Sequence, residues 1–215
     1  MAVQNNKNDL EKIWRQVPPD YYQTGIKSNL LQRFWHSQKL KTLKLILGKK
    51  KFGTILDVGC ASGSMTNEIS KLFPKSKIIG IDVYSSAVEH GNKLYPHIKF
   101  IVADAHKLPF AKNSFDLVIC YETIEHVINP IGILSQMHKV VKNNGLVIVE
   151  MDSGSLPFRI IWWIWEKTKG RVWQNAHLHP FHHTELQKTI EKIGFRVVKR
   201  ELSHFGMAVT FALKK

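Results

Sequence analysis

Between residues 54 and 151, short apolar runs alternate with segments of helical periodicity, and this alternation constrains the fold more than any other feature. The runs are almost continuous in Val, Ile and Leu, which is typical of parallel strands covered on both faces. We therefore predict an α/β fold with a Rossmann-like doubly wound sheet and helices on both faces. The five predicted strands are TILDVG, KIIGIDV, IKFIVAD, SFDLVICY and LVIVEM.

The last part of the chain departs from this alternation. Pro130 and Gly145 delimit a predicted helix before the fifth strand. After a further predicted helix, over TELQKTIEKIGF, the strand patterns RVVKREL and MAVTFAL are separated only by SHFG. A link this short joins antiparallel strands, because parallel strands need a long crossover. The sheet should therefore be mostly parallel, with an antiparallel C-terminal strand.

Charge and tryptophan content divide the chain into a neutral middle and two basic ends. Residues 1–50 hold ten Lys and Arg against three Asp and Glu, and residues 151–215 hold eleven against five. Residues 51–150 are nearly balanced and contain none of the six tryptophans. We predict an N-terminal helical extension over residues 1–50 and one domain over residues 51–215, which includes an insertion at 152–183.

Several function classes are disfavoured by what the composition lacks. The two cysteines, Cys60 and Cys120, provide neither a disulfide framework nor a zinc site of paired cysteines. The N-terminal residues lack the apolar core of a secretory signal, and no apolar run reaches the ~18 residues of a membrane span. These features predict a cytoplasmic protein, with peripheral contact to the inner face of the membrane as an open alternative.

The segment LDVGCASG, residues 56–63, ends the first predicted strand in a carboxylate and a glycine-containing loop. Ligands of a doubly wound sheet bind beyond the carboxyl ends of its strands. A dinucleotide fingerprint requires glycine where this chain has Ala61 and Ser64. The carboxylate of Asp57 would also oppose a pyrophosphate, whereas it suits a cationic ligand.

The same loop resembles the first motif of the class I S-adenosylmethionine-dependent methyltransferases of the type 11-like group, an acidic residue followed by Gly-x-x-x-Gly. The segments IIGIDVYSSAV, Asp104–Ala105 and FDLVICYETIEHVINP resemble further motifs of that family, in the same order. The resemblance covers roughly residues 50–152 and implies S-adenosylmethionine as cofactor, with S-adenosylhomocysteine as product. The cofactor-binding residues that it implies are Asp57, Gly59, Cys60, Ala61, Gly63, Asp82, Val83, Asp104, Ala105 and Tyr121.

Structural explanations compete with this interpretation. Each of Asp57, Asp82 and Asp104 could cap a strand end through backbone hydrogen bonds, and Gly59 and Gly63 could merely permit a turn. Three acids at the ends of three successive strands favour a shared ligand instead. In that interpretation Asp82 accepts hydrogen bonds from the ribose hydroxyls, and the segment after the third strand contacts the adenine.

A sulfonium methyl group is already activated, so the enzyme mainly has to align the reactants in a site with little water. A base is needed only when the acceptor must lose a proton. We predict Glu122 and His126, which follow the fourth strand, as catalytic residues. The alternative is that Glu125 and His126 cap or solvate the next helix.

The histidines of HLHPFHH, residues 177–183, invite a metal site, but no Cys or acid pair with zinc spacing accompanies them. We therefore predict no metal. A loop facing the substrate is one alternative interpretation of this segment, and ordinary loop contacts are another.

The basic, aromatic ends contain two further segments, SNLLQRFWHSQKLKTLKLILGKKK and LPFRIIWWIWEKTKGRVW. We predict that the N-terminal helices and the insertion after strand 5 form a lid over a small-molecule or lipid-like acceptor. Contact with an anionic membrane is compatible with that lid. The charge of +14 also raises the possibility of nucleic acid, but YETIEH is not the Asn-Pro-Pro-aromatic motif of base-amino methyltransferases. An RNA or protein methyltransferase and a catalytically silent partner subunit remain alternatives, and the oligomeric state is not predicted.

Overall fold

The computed structural model describes residues 12–168, 170–171 and 182–215. Seven strands form one sheet in the order β3-β2-β1-β4-β5-β7-β6. The strands are β1 Thr54–Val58, β2 Lys77–Asp82, β3 Lys99–Val102, β4 Phe115–Tyr121, β5 Val141–Asp152, β6 Arg196–Ser203 and β7 Ala208–Lys214.

The strand pairing confirms the predicted topology. β1 to β5 pair in parallel, and β7 runs antiparallel between β5 and β6. The strand order reverses between β1 and β4, which creates the crevice at the carboxyl ends where doubly wound sheets bind ligands.

Helices cover both faces of the sheet, as predicted. One buried cluster packs Leu134 and Ile190 against the strands, and the other packs Leu43, Ile69 and Val88 against the opposite face. The helices whose bounds the structure gives are α1 Tyr21–Ser28, α2 Leu30–Leu47, α3 Ser64–Leu72, α4 Ser85–Leu94, α5 Pro130–Val140, α6 Leu156–Lys167 and α7 His183–Lys192. Short 3₁₀ turns whose bounds the structure gives lie at Ala105–Lys107, Ile124–His126 and His204–Gly206.

The predicted end of α5 was wrong. The helix stops at Val140, and Gly145 lies inside β5 rather than in a turn after the helix. The reason is tertiary: Val141 already pairs with Phe115, and the amide of Ser114 donates to the carbonyl of Val140. Val, Asn and Gly are also poor helix formers, so the segment VKNNG does not favour extending the helix.

The N-terminal helices and the β6–β7 connection meet near the carboxyl ends of the strands. Asn29 caps α2 by accepting hydrogen bonds from the amides of Leu31 and Gln32. His204 donates from Nε2 to the carbonyl of Trp35, 2.8 Å away, and its Nδ1 accepts from the Ser203 hydroxyl. This contact fixes the middle of α2 over the sheet edge.

In the described part of the chain, no helix combines the length and the apolar character needed to cross a membrane.

Candidate active site

The carboxyl ends of β1, β2 and β3 border a cavity of about 410 Å³, here called the polar cavity. Its size lies within the range of about 300–1,000 Å³ that is common for small-molecule sites. The predicted cofactor residues that line it are Gly59, Ala61, Asp82, Val83, Asp104 and Ala105, and both predicted catalytic residues, Glu122 and His126, line it as well. The structure therefore brings together eight of the twelve residues that the sequence nominated.

Asp82 is held in place by backbone amides. One carboxylate oxygen accepts from the amide of Ala61 at 2.8 Å, and the other accepts from the amide of Tyr84 at 2.9 Å. Desolvation raises the pKa of Asp82, and these hydrogen bonds oppose that rise. Each oxygen keeps a second acceptor direction, so the carboxylate is oriented and can still bind a diol.

Asp104 and Ala105 form the edge of the polar cavity beyond β3. Asp104 begins the 3₁₀ turn, and its side chain accepts from the amide of His106 at 2.8 Å. The imidazole Nδ1 of His106 lies at the same distance from that carboxylate. Asp104, Ala105 and His106 all line the cavity. A carboxylate and backbone amides at such an edge can form hydrogen bonds with the rim of a flat heterocycle.

Four predicted cofactor residues lie behind the cavity wall instead. Asp57 is buried and accepts a hydrogen bond of 2.6 Å from Thr66 Oγ1, and burial raises its pKa to about 6. Cys60 and Tyr121 are buried too, and burial raises the pKa of both the thiol and the phenol. Together with Gly63, they support the loop and do not line the cavity in the described structure.

The two loop glycines have positive φ angles, +75° at Gly59 and +81° at Gly63. A Cβ at Gly59 would lie 2.2 Å from Oγ1 of Thr123, and one at Gly63 would lie 2.3 Å from the ring of Phe100. Packing inside the protein therefore accounts for both glycines.

The N-terminal segment, which was predicted to form a lid, borders the polar cavity. Trp14, Val17 and Tyr22 line it. The side chain of Gln23 donates to the carbonyl of Ser62 at 3.3 Å and accepts from the Ser62 hydroxyl at 3.1 Å. These bonds attach α1 to the glycine loop across 39 residues of sequence.

A second cavity of about 340 Å³, here called the apolar cavity, lies between α1, α2, α6 and the His204–Gly206 turn. Its walls are mainly aromatic and aliphatic. The apolar lining residues are Tyr21, Leu31, Phe34, Trp35, Phe158, Ile161, Trp162, Trp165, Phe205 and Met207. The segment that the sequence nominated for a lid thus supplies one wall of a cavity.

Tyr22, Glu122 and His126 line both cavities and mark the place where they adjoin. Burial raises the pKa of the Tyr22 phenol, which keeps it protonated. Glu122 has a φ of +44°, an unfavourable conformation for a non-glycine residue. Such strain is often found at functional sites.

Glu122 is paired with a cation. Lys39 on α2 forms a salt bridge to Oε2, and the indole Nε1 of Trp35 donates to Oε1. Burial alone would raise the pKa of Glu122, but the attraction and hydrogen bonding of Lys39 and Trp35 lower it to about 2. Glu122 is therefore a stable carboxylate and a weak base.

Two more acids face the apolar cavity, Glu125 and Asp152. Both are buried, with 1% and 6% of their surface exposed. Desolvation and mutual repulsion raise the pKa of Glu125 well above its usual range, and desolvation raises that of Asp152 to about 6. The sequence analysis gave Glu125 only an alternative role, in which it caps or solvates the next helix.

The described residues contain no group of three or more His, Cys, Asp or Glu side chains arranged for a metal ion. Of the histidines in the segment 177–183, His177 and His179 lie outside the described residues. His182 pairs with the Thr184 hydroxyl, and His183 approaches the carbonyl of Ser153. Neither His182 nor His183 lines the polar or the apolar cavity.

Residues 56–149 match the model of a protein family described as a methyltransferase domain. The motifs quoted above and the geometry of the polar cavity lie within that match. This segment therefore belongs to a methyltransferase domain family, and the match is consistent with the resemblance to the class I S-adenosylmethionine-dependent methyltransferases.

Similar proteins agree with this family. The chain is 28% identical over 158 residues to a demethylmenaquinone methyltransferase of Staphylococcus aureus, covering 71% of this chain and 64% of that protein. It is 25% identical over 139 residues to an uncharacterized methyltransferase of Schizosaccharomyces pombe, covering 59% of this chain and 50% of that protein. The chain thus spans between half and two thirds of the length of these relatives.

The same fold occurs in a solved methyltransferase structure from Thermotoga maritima. The TM-score is 0.71 at 22% identity, with 91% of this chain and 96% of that chain covered. The methyltransferase fold of this protein therefore extends beyond the residues of the family match, into the antiparallel C-terminal strands.

Proposed function

We propose that this protein transfers the methyl group of S-adenosylmethionine to a small, lipid-like acceptor. The observation that supports the proposal best is the pair of adjoining cavities that share Tyr22, Glu122 and His126. One cavity is bordered by strand-end acids, and the other is mainly apolar. A donor and an acceptor held in adjoining cavities are positioned for direct transfer, which lowers the barrier through proximity and orientation.

The polar cavity fits the cofactor chemically. Asp82 is assigned to the ribose hydroxyls, and Asp104 with Ala105 to the adenine. The backbone of Gly59 and Ala61 is assigned to the methionine part. When bound, S-adenosylmethionine supplies a methyl group activated by a cationic sulfur, and the strand-end carboxylates favour that positive charge.

The predicted cofactor residues that do not line the polar cavity are assigned a supporting role: they hold the glycine loop and the strand ends in place. Asp57 fixes the start of α3 through Thr66, and its charge lies near enough to raise the pKa of Cys60. Cys60, Gly63 and Tyr121 shape the loop and strand end from behind. Val83 lines the cavity directly and is assigned to an apolar contact with the nucleoside.

At the junction, Glu122 is assigned a positioning role. Its salt bridge to Lys39 connects α2 to the end of β4, and both cavities depend on that contact for their common wall. His126 is assigned to the acceptor side of the junction. Tyr22 excludes water from above.

The apolar cavity supports an amphiphilic acceptor. Its aromatic walls match a ring or chain that gains free energy by leaving water. The demethylmenaquinone methyltransferase among the relatives acts, by its name, on demethylmenaquinone. An acceptor of comparable character, apolar with few polar groups, fits this cavity.

The mouth of the apolar cavity supports peripheral contact with a membrane. Leu31, Ile161 and Phe205 line the cavity and are nevertheless 69%, 51% and 88% exposed. On the same helix as Ile161, Trp163 is 62% exposed. Apolar side chains from three segments thus surround one opening, and the basic ends of the chain favour an anionic lipid surface.

The test uses radiolabelled S-adenosylmethionine and a host cell extract separated into lipid, small-molecule, protein and RNA fractions. We expect label in the lipid or small-molecule fraction with the wild type. Asp82→Ala should weaken cofactor binding by roughly 10- to 100-fold, because it removes hydrogen bonds to a charged group. Glu89→Ala, which removes an exposed acid of α4, is the matched control and should behave as the wild type.

Each other outcome has a defined meaning. Label in RNA or protein would replace the proposed acceptor by a macromolecule. Cofactor binding without transfer to any fraction would favour a catalytically silent partner subunit. Absence of cofactor binding in the wild type would overturn the proposed function.

A further inference from the structure

Glu125 places a carboxylate on the wall of the apolar cavity. It lies in the 3₁₀ turn Ile124–His126, directly after β4, and only 1% of it is exposed to solvent. Within the described part of the chain, its Oε2 is buried and has no hydrogen-bond partner. A buried acceptor without a partner is destabilising, so its place on a cavity wall calls for an explanation.

The surroundings of Glu125 are mainly negative. Asp152 at the end of β5 repels its charge most strongly, and Glu122 adds to that repulsion. Lys39 is the attracting cation, but it is engaged with Glu122. Burial and repulsion therefore move the pKa of Glu125 upward, toward values at which a carboxylate is an effective base. The other titratable side chains lining the same cavity are Tyr21, Tyr22, His36 and His126.

Glu122 is less suited to the same task. Its two oxygens are engaged by Lys39 and Trp35, and its pKa lies at about 2. A group that holds its charge so firmly takes up a proton only at strongly acidic pH. Two carboxylates three residues apart therefore have different environments, one suited to a structural ion pair and one to proton transfer.

We propose that Glu125 is the catalytic base of this protein and that the acceptor carries a hydroxyl group. The inference rests on the proposed methyl transfer. The acceptor oxygen forms a bond to the methyl carbon while the carbon–sulfur bond breaks, and that electron pair remains on sulfur. The hydroxyl proton passes to the carboxylate of Glu125, which leaves a neutral ether, a neutral thioether and a neutral carboxylic acid.

The choice of oxygen follows from the need for a base. A neutral amine attacks a sulfonium methyl group without first losing a proton, whereas a hydroxyl group is a poor nucleophile until its proton leaves. A cavity that is mainly apolar and presents an unpartnered carboxylate oxygen therefore fits a neutral hydroxyl compound. The hydroxyl hydrogen supplies the partner that Oε2 lacks.

The first arm of the test compares Glu125→Gln with Glu150→Gln. Glu150 is the matched control, because it is buried on β5, its pKa is raised to about 7, and it lines neither cavity. Glu125→Gln should keep its affinity for S-adenosylhomocysteine and lower kcat by about 100-fold or more for the fraction that accepts label. Glu150→Gln should keep wild-type kcat. Unchanged kcat and an unchanged pH profile in folded Glu125→Gln would overturn the proposal.

The second arm does not depend on turnover. Dicyclohexylcarbodiimide, a hydrophobic reagent for protonated carboxyl groups, is applied to the wild type, and the modified residue is located by mass spectrometry. We expect modification at Glu125, with a rate that falls as pH rises, and none at Glu150. This arm decides the matter if Glu125→Gln does not fold, and modification elsewhere without Glu125 would contradict the proposal.

The two arms separate failure of this inference from failure of methyl transfer. A wild type that binds no cofactor or labels no fraction refutes the proposed function. A wild type that transfers label while Glu125→Gln is equally active refutes only the assignment of the base. Glu125→Asp should retain a pH-dependent kcat at a reduced level, whereas a purely structural role predicts no shift of the profile.

Discussion

At the scale of single residues, the Lys39–Glu122 pair decides how the two cavities share a wall. The partners are 83 residues apart, and the side chains are 4% and 27% accessible. Removing one partner of a buried pair usually destabilises a protein by about 3–5 kcal/mol, because an uncompensated charge remains. Glu122 keeps some access to water, so the effect here should be smaller.

We expect Lys39→Met to lower the free energy of unfolding by about 2–3 kcal/mol. Adding Glu122→Gln to that variant should restore part of the loss, since the stranded charge is removed. Chemical denaturation of the two single variants and the double variant forms the cycle that measures the coupling. Strictly additive effects would show that the pair is not energetically coupled.

At the scale of elements, α6 has two faces with different surroundings. Phe158 and Trp162 stack at 5.8 Å between ring centres and face the apolar cavity. Ile160, Trp163 and Ile164 are each more than half exposed. An apolar surface of this kind, beside a cavity mouth, is typical of a docking site rather than of an ordinary solvent-exposed helix.

Replacing Ile160, Trp163 and Ile164 together by Ser should reduce binding to vesicles that contain phosphatidylglycerol by at least about tenfold, because buried apolar area is lost at the interface. Stability should change little, since exposed positions contribute little to it. The control variant replaces three exposed apolar residues away from the cavity by Ser: Leu45, Leu94 and Val198. Equal vesicle binding by both variants would argue against α6 as the membrane contact.

At the scale of the whole molecule, buried acids make stability depend on pH. Glu150 is fully buried, accepts a hydrogen bond of 2.7 Å from Thr210, and has a pKa raised to about 7 from 4.5. Between those two values the folded protein binds more protons than the unfolded chain. The contribution of Glu150 to the free energy of unfolding is therefore largest at low pH and is lost as pH rises toward 7.

Glu150→Gln should consequently be more stable than the wild type at pH 8, and the difference should shrink by on the order of 2 kcal/mol at pH 5. His36 acts in the opposite sense, because burial lowers its pKa to about 4, but it is present in both proteins. Denaturation curves at several pH values measure the difference. If the free energies of unfolding of the two proteins differed by the same amount at every pH, Glu150 would not be the source of the pH dependence.

The sheet and the strand-end residues of the polar cavity could be predicted because both depend on local signals. Strand periodicity placed β1 to β5, and parallel strands necessarily bring Asp82 and Asp104 to one edge. For the apolar cavity, the aromatic segments predicted a lid but not which of their side chains would meet. Trp35, Trp162 and Phe205 meet there only through tertiary packing, and the ion pair that determines the state of Glu122 joins two distant segments.

Most residues that line the apolar cavity lie outside the segment that matches the methyltransferase family model. Of the described residues that line the apolar cavity, only Glu122, Glu125 and His126 fall within residues 56–149. The rest come from the N-terminal helices, the end of β5, α6 and the connection before β7. The residues of α2, α6 and the His204–Gly206 turn that line this cavity do not line the polar cavity. Under the proposed function, substitutions there alter the choice of acceptor while the residues assigned to the methyl donor are kept. Identity to a relative across the matched region is then a poor guide to the acceptor.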